Sequence, residues 1–356
     1  MEIAVLLATH HLPEESVAWF LEAKGVFGQL VIFIDEQRVT PGTIERARKL
    51  GTRVVLHQSP SWYESDFGAM ARSCGTEWVF ILDYDEQLSA EWQDPCWREI
   101  LKNTSYTHFW CPRRWITKGD RYICCDPWFP DFQMRLLKNA AESSFPTKLH
   151  DPINIRGEGA TFRNLAIHHH VLSLCPRPMR EDKVRNYEQL RPEAGLGHYY
   201  LYEDYAPPEA RVPRATRLDF RTEIVSMPKL GAEAINRVEL RVKSIPREVV
   251  RSTLISAEVQ LINESGQALS SAMPHPVRLS YHWLRQGTRE VIVFEGNRSS
   301  LWPEVLSHQA FQCGMTIFTP TSPGAYILQT TIVQEGVSWF EEVRPSVMQE
   351  FTVSVK

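Results

Sequence analysis

Three carboxylates fall within the four residues Asp83-Tyr84-Asp85-Glu86, directly after the apolar run Trp78 to Leu82. Carboxylates one residue apart offer hard oxygen ligands, the chemistry that holds Mg²⁺ or Mn²⁺ on a phosphorylated substrate. At this spacing Asp83 and Asp85 could both turn toward one such ion. An acidic cluster after a strand also occurs as a solvated turn. Further along, His150-Asp151 combines an imidazole that could join the metal with a carboxylate that could serve as general base, and Glu158, between Gly157 and Gly159, is the reserve base. A hydrogen-bonded turn is the bland alternative for the pair. In the run His168-His169-His170, side chains on a strand point alternately to opposite faces, so at most one reaches a given site. Arg113, Arg114, Lys118 and Arg121 could grip a diphosphate or an anionic acceptor, with Trp110, Trp115 and Trp128 as stacking surfaces for a sugar. The alternative is a basic solvated loop over packed tryptophans.

The elements that must position these groups alternate in type. Ile3 to Ala8, Leu30 to Ile34, Val54 to Leu56 and Trp78 to Leu82 read as strands, and the longer continuous apolar runs indicate burial on both faces of a parallel sheet. Between them, Pro13 opens a helix expected to end at Gly25, Thr40-Pro41 starts a second that closes at Gly51, and Glu64 to Cys74 forms a third before Gly75. This β-α-β-α-β-α-β pattern, with right-handed crossovers, brings Asp35 and Asp83 to the same carboxyl edge, where ligands bind in open α/β sheets.

The ordered set Val31-Ile32-Phe33-Ile34-Asp35, Asp66 to Arg72 and Glu77 to Glu86 resembles glycosyltransferase family 2, with its GT-A nucleotide-sugar-binding fold. The likeness continues through Asp131 to Lys138, Leu149-His150-Asp151, Ile167-His168-His169 and Lys183 to Tyr187, in the order of bacterial members that decorate surface polysaccharides, and covers roughly the first 200 residues. Thr9-His10-His11 and Asp35-Glu36-Gln37 depart from the usual family pattern. The resemblance implies a metal-dependent transfer, most simply inverting, from a UDP-sugar or related nucleotide sugar to a glycan or lipid-linked acceptor. Implied contacts are Thr9, Asp35, Asp66 and Asp83 for the nucleotide, Asp83, Asp85 and His150 for Mn²⁺ or Mg²⁺, Asp151 or Glu158 as base, and Arg113, Arg114 and Trp115 for phosphate or acceptor. For Asp35, a loop-capping role is an equal alternative. A nucleotidyltransferase would also use carboxylates on such a sheet, but the Gly-rich phosphate loop it needs is replaced by Thr9-His10-His11-Leu12-Pro13. A non-catalytic carbohydrate-binding or scaffold protein with a degenerate first domain is the other alternative.

A chain of 356 residues with 43% apolar content exceeds one core and points to two domains. A net charge of −4 gives no global attraction to nucleic acid. Ile3 to Ala8 is too short for a signal-peptide core and no stretch reaches the length of a membrane span, so a cytoplasmic protein is expected, with membrane contact at most peripheral. The seven cysteines then read as reduced thiols. The domains are expected at 1–205, a GT-A domain, and 220–356, an immunoglobulin-like β-sandwich, joined by a stiff proline-rich linker at 206–219. Runs at Val238 to Val242, Ile255 to Ile262, Val277 to Trp283, Val291 to Phe294, Phe311 to Phe318, Tyr326 to Val333 and Phe351 to Val355 supply the sandwich strands.

Overall fold

A computed structural model describes residues 1–51, 53–58, 67–144, 153–190, 197–215 and 217–356. The chain divides into two compact units. One comprises Met1–Cys124, Asp131–Tyr202 and Pro208–Val225, and the other Cys125–Pro130, Glu203–Pro207 and Ser226–Lys356.

The first unit begins with the expected alternation: β1 (Ile3–Thr9), α1 (Glu14–Phe27), β2 (Gly28–Asp35), α2 (Thr43–Lys49), β3 (Arg53–His57), α3 (Phe67–Cys74) and β4 (Trp78–Ile81). Then come β5 (Glu86–Leu88), α4 (Cys96–Lys102), β6 (His108–Trp115), β7 (Arg121–Ile123), β8 (Asp131–Lys138), β9 (Ser143–Ser144), β10 (Asn154–Ile155), β11 (Gly159–Phe162) and β12 (Ile167–His169). The unit closes with α5 (Val171–Leu174), α6 (Arg177–Leu190), α7 (Gly197–Tyr200), β13 (Glu209–Arg211) and β14 (Ile224–Val225).

Its main sheet is mixed, in the order β14-β11-β6-β8-β4-β1-β2-β3, with β12 paired to both β5 and β6. Strands β3, β2, β1 and β4 are mutually parallel, whereas β8 runs antiparallel between β4 and β6. The continuous apolar runs are buried on both faces, as expected. Ile3, Val5 and Leu7 of β1 and Trp78 and Phe80 of β4 enter one core, while Ala4, Leu6 and Ala8, with Val79 and Ile81, enter the core on the other face beside Phe67, Met70 and Ala71 of α3.

Two helix boundaries differ from expectation. Gly25 lies inside α1, which runs on to Phe27, and the left-handed turn is made by Gly28 at φ 97°. Likewise α2 starts at Thr43 after Gly42 at φ 78°, because the Thr40 hydroxyl bonds with the side chains of His11 and Thr43 instead of capping the helix.

The tract expected as a linker is in part a strand. β13 pairs antiparallel with β7, Leu218 is buried and β14 closes the sheet edge, so the first unit extends to Val225. Pro207, Pro208 and Pro213 flank β13 without occupying it, which leaves its backbone donors intact.

In the second unit, Val238–Ser244, Leu254–Asn263 and Gln309–Phe318 form a three-stranded antiparallel sheet. Val277–Arg285, Val291–Val293, Gly324–Gln334 and Gln349–Val355 lie in a seven-stranded one. One core draws on both sheets, with Leu240, Val259, Leu261 and Ile317 from the first and Tyr281, Trp283, Leu328 and Val353 from the second.

Candidate functional site

The carboxyl ends of β1, β2 and β4 lie side by side. At β4 the chain reverses in a tight turn: the Glu86 N–H bonds to the Asp83 carbonyl at 3.0 Å, and the Asp83 N–H returns a bond to the Glu86 carboxylate at 3.2 Å. From α1, Ser16 pins the turn by donating to the Tyr84 carbonyl at 2.6 Å. The reversal separates the two aspartates. Asp83 meets Arg135 of β8 at 2.7 Å and keeps 38% of its side chain exposed, while Asp85 is almost fully buried and meets His169 Nε2 of β12 at 3.4 Å.

Glu86 completes a buried ion network that the sequence reading did not assign. Arg135 bridges Asp83 and Glu86, at 2.7 and 2.6 Å. Arg113 of β6 joins Glu86, at 3.4 Å, to Asp131 of β8, at 2.7 Å. The Trp115 indole N–H also binds Asp131, at 2.9 Å. Burial opposes the charge on both arginines, but their carboxylates outweigh it and hold them above the ordinary arginine range. Burial would likewise raise Asp131, yet Arg113 and the Trp115 and Gln133 donors keep it below the usual carboxylate range. For Asp85 too, burial is outweighed, by His169 first and then by Lys183 and Arg113, which hold it well below that range.

Pairing of β12 with β5 sets His169 opposite Glu86, and alternation sends its two neighbours to the other face. There His168 lies 3.3 Å from Arg114, and His170 stacks on Trp19 and bonds with Gln87. Burial pushes these two imidazoles down to about 3 and about 4. His169 packs edge-on against Trp115, and its Nδ1 has no hydrogen-bond partner among the described residues.

Lys183 of α6 lies close enough to Asp85 for their charges to interact. Its ammonium stands 4.8 Å from the ring centroid of Tyr200 and 5.6 Å from that of Tyr187. Burial alone would lower it, but Tyr200, Tyr187, Asp85 and Tyr84 keep it raised well above the lysine range, so it is a cation at neutral pH.

Other expected site residues are engaged elsewhere. The Thr9 hydroxyl bonds to the His11 carbonyl and accepts the His11 N–H at 3.0 Å. Asp35 is fully buried and turned to its own loop, where it accepts the Gln37 N–H at 3.1 Å and pairs with Arg38 at 2.7 Å. Arg114 faces away from Asp83, on the His168 side. Arg121 pairs with Glu209, and Lys118 is exposed. Trp115 and Trp128 are buried, so neither offers an open stacking face, and Trp110 is half-buried.

Glu158 lies at the wrong edge. β11 runs parallel to β6 with Gly159 beside His108, and the Glu158 carbonyl accepts the Thr107 N–H, which places it at the amino end of these strands. β6 spans eight residues from there to Trp115, roughly 25 Å of extended chain. Asp66, His150 and Asp151 lie outside the described residues.

Among the described residues no cluster of three or more His, Cys, Asp or Glu is placed to hold a metal ion, and no helix is long and apolar enough to cross a membrane. The cysteines are free thiols.

No family model matches this chain, and no curated protein is similar to it. Among solved structures, residues 1–349 of Staphylococcus aureus TarS align with a TM-score of 0.34 at 11% identity, over 57% of this chain and 70% of that one. The same TarS fragment in complex with UDP aligns with a TM-score of 0.27 at 14% identity, over 33% and 38%. The CARDB domain of a Pyrococcus furiosus protein, in complex with di-metal ions, aligns with a TM-score of 0.21 at 18% identity, over 33% and 89%. All three scores are too low to define a shared fold.

Proposed function

We infer that the first unit is a GT-A-type, metal-dependent glycosyltransferase that moves a sugar from a nucleoside-diphosphate sugar, UDP-linked in the simplest case, to a hydroxyl of a glycan or lipid-linked acceptor with inversion. The second unit is then an immunoglobulin-like accessory sandwich. A cytoplasmic location, with membrane contact at most peripheral, accords with a nucleotide-sugar donor.

The observation that supports this reading is the meeting of Asp85 and His169 at the carboxyl edge of the parallel strands, with the Lys183 ammonium within electrostatic reach of Asp85. A carboxylate oxygen and an imidazole nitrogen on neighbouring positions suit a hard divalent ion that keeps its remaining places for water and phosphate oxygens. Charge points the same way. Arg113 and Arg135 are already matched by Asp83, Glu86 and Asp131, so a diphosphate would need an added positive ion to settle here. Bound Mn²⁺ or Mg²⁺ would supply Lewis-acid neutralisation of the departing diphosphate.

The chain's own groups supply the remainder. Arg135 pairs with Asp83 and would orient it toward the ribose or sugar, and Asp131, held by the Trp115 indole, fixes Arg113 beside Glu86. In the transfer, the bond from the anomeric carbon to the phosphate oxygen breaks with its electron pair on that oxygen. The acceptor oxygen forms the new bond from the opposite side and gives its proton to a carboxylate, the role we propose for Asp151.

Thermal shift with UDP, GDP, CDP, ADP and dTDP, each with and without Mn²⁺, tests the reading. One of them, with metal, should stabilise the protein by about 2.7 kcal/mol at a hundred times its dissociation constant. Asp85→Asn should remove the metal-dependent part, and the matching nucleotide sugar should be turned over. If no nucleotide stabilises the wild type, the glycosyltransferase reading is wrong; if one binds but no sugar is turned over, the domain is a degenerate binding module.

A further inference from the structure

We propose that Lys183 is the direct contact for the donor's diphosphate, an inference that rests on the glycosyltransferase reading of the same site. The cations around the carboxyl edge differ in their commitments. Arg135 is held by Asp83 and Glu86, Arg113 by Asp131 and Glu86, and Arg38 by Asp35. Arg180, one turn before Lys183 on α6, donates to the carbonyls of Cys175 and Tyr200. Lys183 forms no hydrogen bond and no ion pair among the described residues.

Its surroundings nevertheless fix it in place. The rings of Tyr187 and Tyr200 flank the ammonium at cation–π distances, and Asp85 lies near enough to influence its charge while remaining outside ion-pair range. Aromatic faces steady a cation without taking up its three N–H donors. An ammonium held this way, partly withdrawn from water and beside the Asp85–His169 pair, is prepared for an anion. The anion that the proposed chemistry brings there is a diphosphate, on which negative charge grows as the glycosidic bond to phosphate breaks. Lysine suits the task because its compact charge can follow an oxygen whose charge is changing.

A lysine serving only as packing would contribute to stability through its stem and cation–π contacts, and its loss would weaken the fold and every ligand alike. A diphosphate contact acts on the phosphates alone.

The experiment is a calorimetric titration of the full chain and its Lys183→Met and Lys183→Arg variants with UDP plus Mn²⁺, and with uridine at matched concentrations, alongside their melting temperatures. A hydrogen bond to a charged group contributes about 1.5–3 kcal/mol, so Lys183→Met should bind UDP about tenfold to a hundredfold more weakly. Uridine affinity should stay at the wild-type value, the melting temperature of Lys183→Met should fall by no more than its lost cation–π contacts account for, and Lys183→Arg should recover part of the UDP affinity. Equal UDP affinity in Lys183→Met and wild type overturns the assignment and leaves the glycosyltransferase reading standing. Parallel losses of UDP affinity, uridine affinity and melting temperature in both variants also overturn it, in favour of a structural lysine. Failure of the wild type to bind UDP, when another nucleoside diphosphate stabilises it, moves the titration to that nucleotide and its nucleoside; failure with all of them removes the reading and the inference together.

Discussion

Replacing Asp126 with asparagine should stabilise the second unit at neutral pH, and the effect should vanish in acid. Asp126 accepts the Ser300 N–H at 2.9 Å through one carboxylate oxygen and the Ser300 hydroxyl at 2.8 Å through the other. Burial nevertheless dominates, and against these bonds and the charge of Arg278 it lifts the carboxyl from 3.8 to about 6. Each unit of difference is worth 1.36 kcal/mol, so the ionised form costs about 3 kcal/mol. The sign follows from proton binding. Between about pH 4 and 6 the folded chain holds a proton that the unfolded chain has released, so this group's contribution to stability falls as pH rises through that window and the penalty is complete above it. Asparagine keeps the shape, accepts the Ser300 N–H with its carbonyl and donates to the Ser300 hydroxyl with its amide, without the charge. Urea unfolding at pH 4, 5, 6 and 7.5, followed by tryptophan fluorescence, should show Asp126→Asn gaining up to about 3 kcal/mol over wild type at pH 7.5 and almost nothing at pH 4. A gap independent of pH, or a less stable variant at pH 7.5, would refute the argument that burial outweighs the Ser300 bonds.

Two further outcomes are expected. Gly159→Ala drives a methyl group into the His108 and Trp110 rings and should lower stability in urea unfolding by about 1–3 kcal/mol; an unchanged midpoint would mean that the two rings move aside at no cost. Gly25→Ala meets nothing within 4 Å on a helical backbone and should raise the melting temperature, with a gain of about 0.5–1 kcal/mol; a drop in calorimetry would mean that the helix does end there.

Much of the fold could be read locally. A continuous apolar run such as Val5-Leu6-Leu7 or Trp78-Val79-Phe80 alternates between two faces, so it can be satisfied only by cores on both sides of a sheet, and both cores are present. From there, the placement of Asp83 and Asp85 at the carboxyl edge followed directly. The strands of the second unit were legible for the same kind of reason, since period-two burial in Leu254–Asn263 and its neighbours is a property of each segment alone. The period also told that His169 must part from His168 and His170.

The contents of the site were decided only in three dimensions. Local pattern tells which face a residue takes, but it carries no information on which strand lies alongside or in which direction. Insertion of β8 antiparallel between β4 and β6 is what delivers Arg135 to Asp83 and Glu86, and Asp131 to Arg113. Pairing of β12 with β5 delivers His169 to Asp85. The parallel run of β11 beside β6 carries Glu158 to the opposite edge, although its glycine-flanked carboxylate reads in sequence like a mobile catalytic loop. In each case the deciding contact joins residues far apart in the chain, and its free energy comes from sheet pairing and burial that exist only once the whole unit has closed.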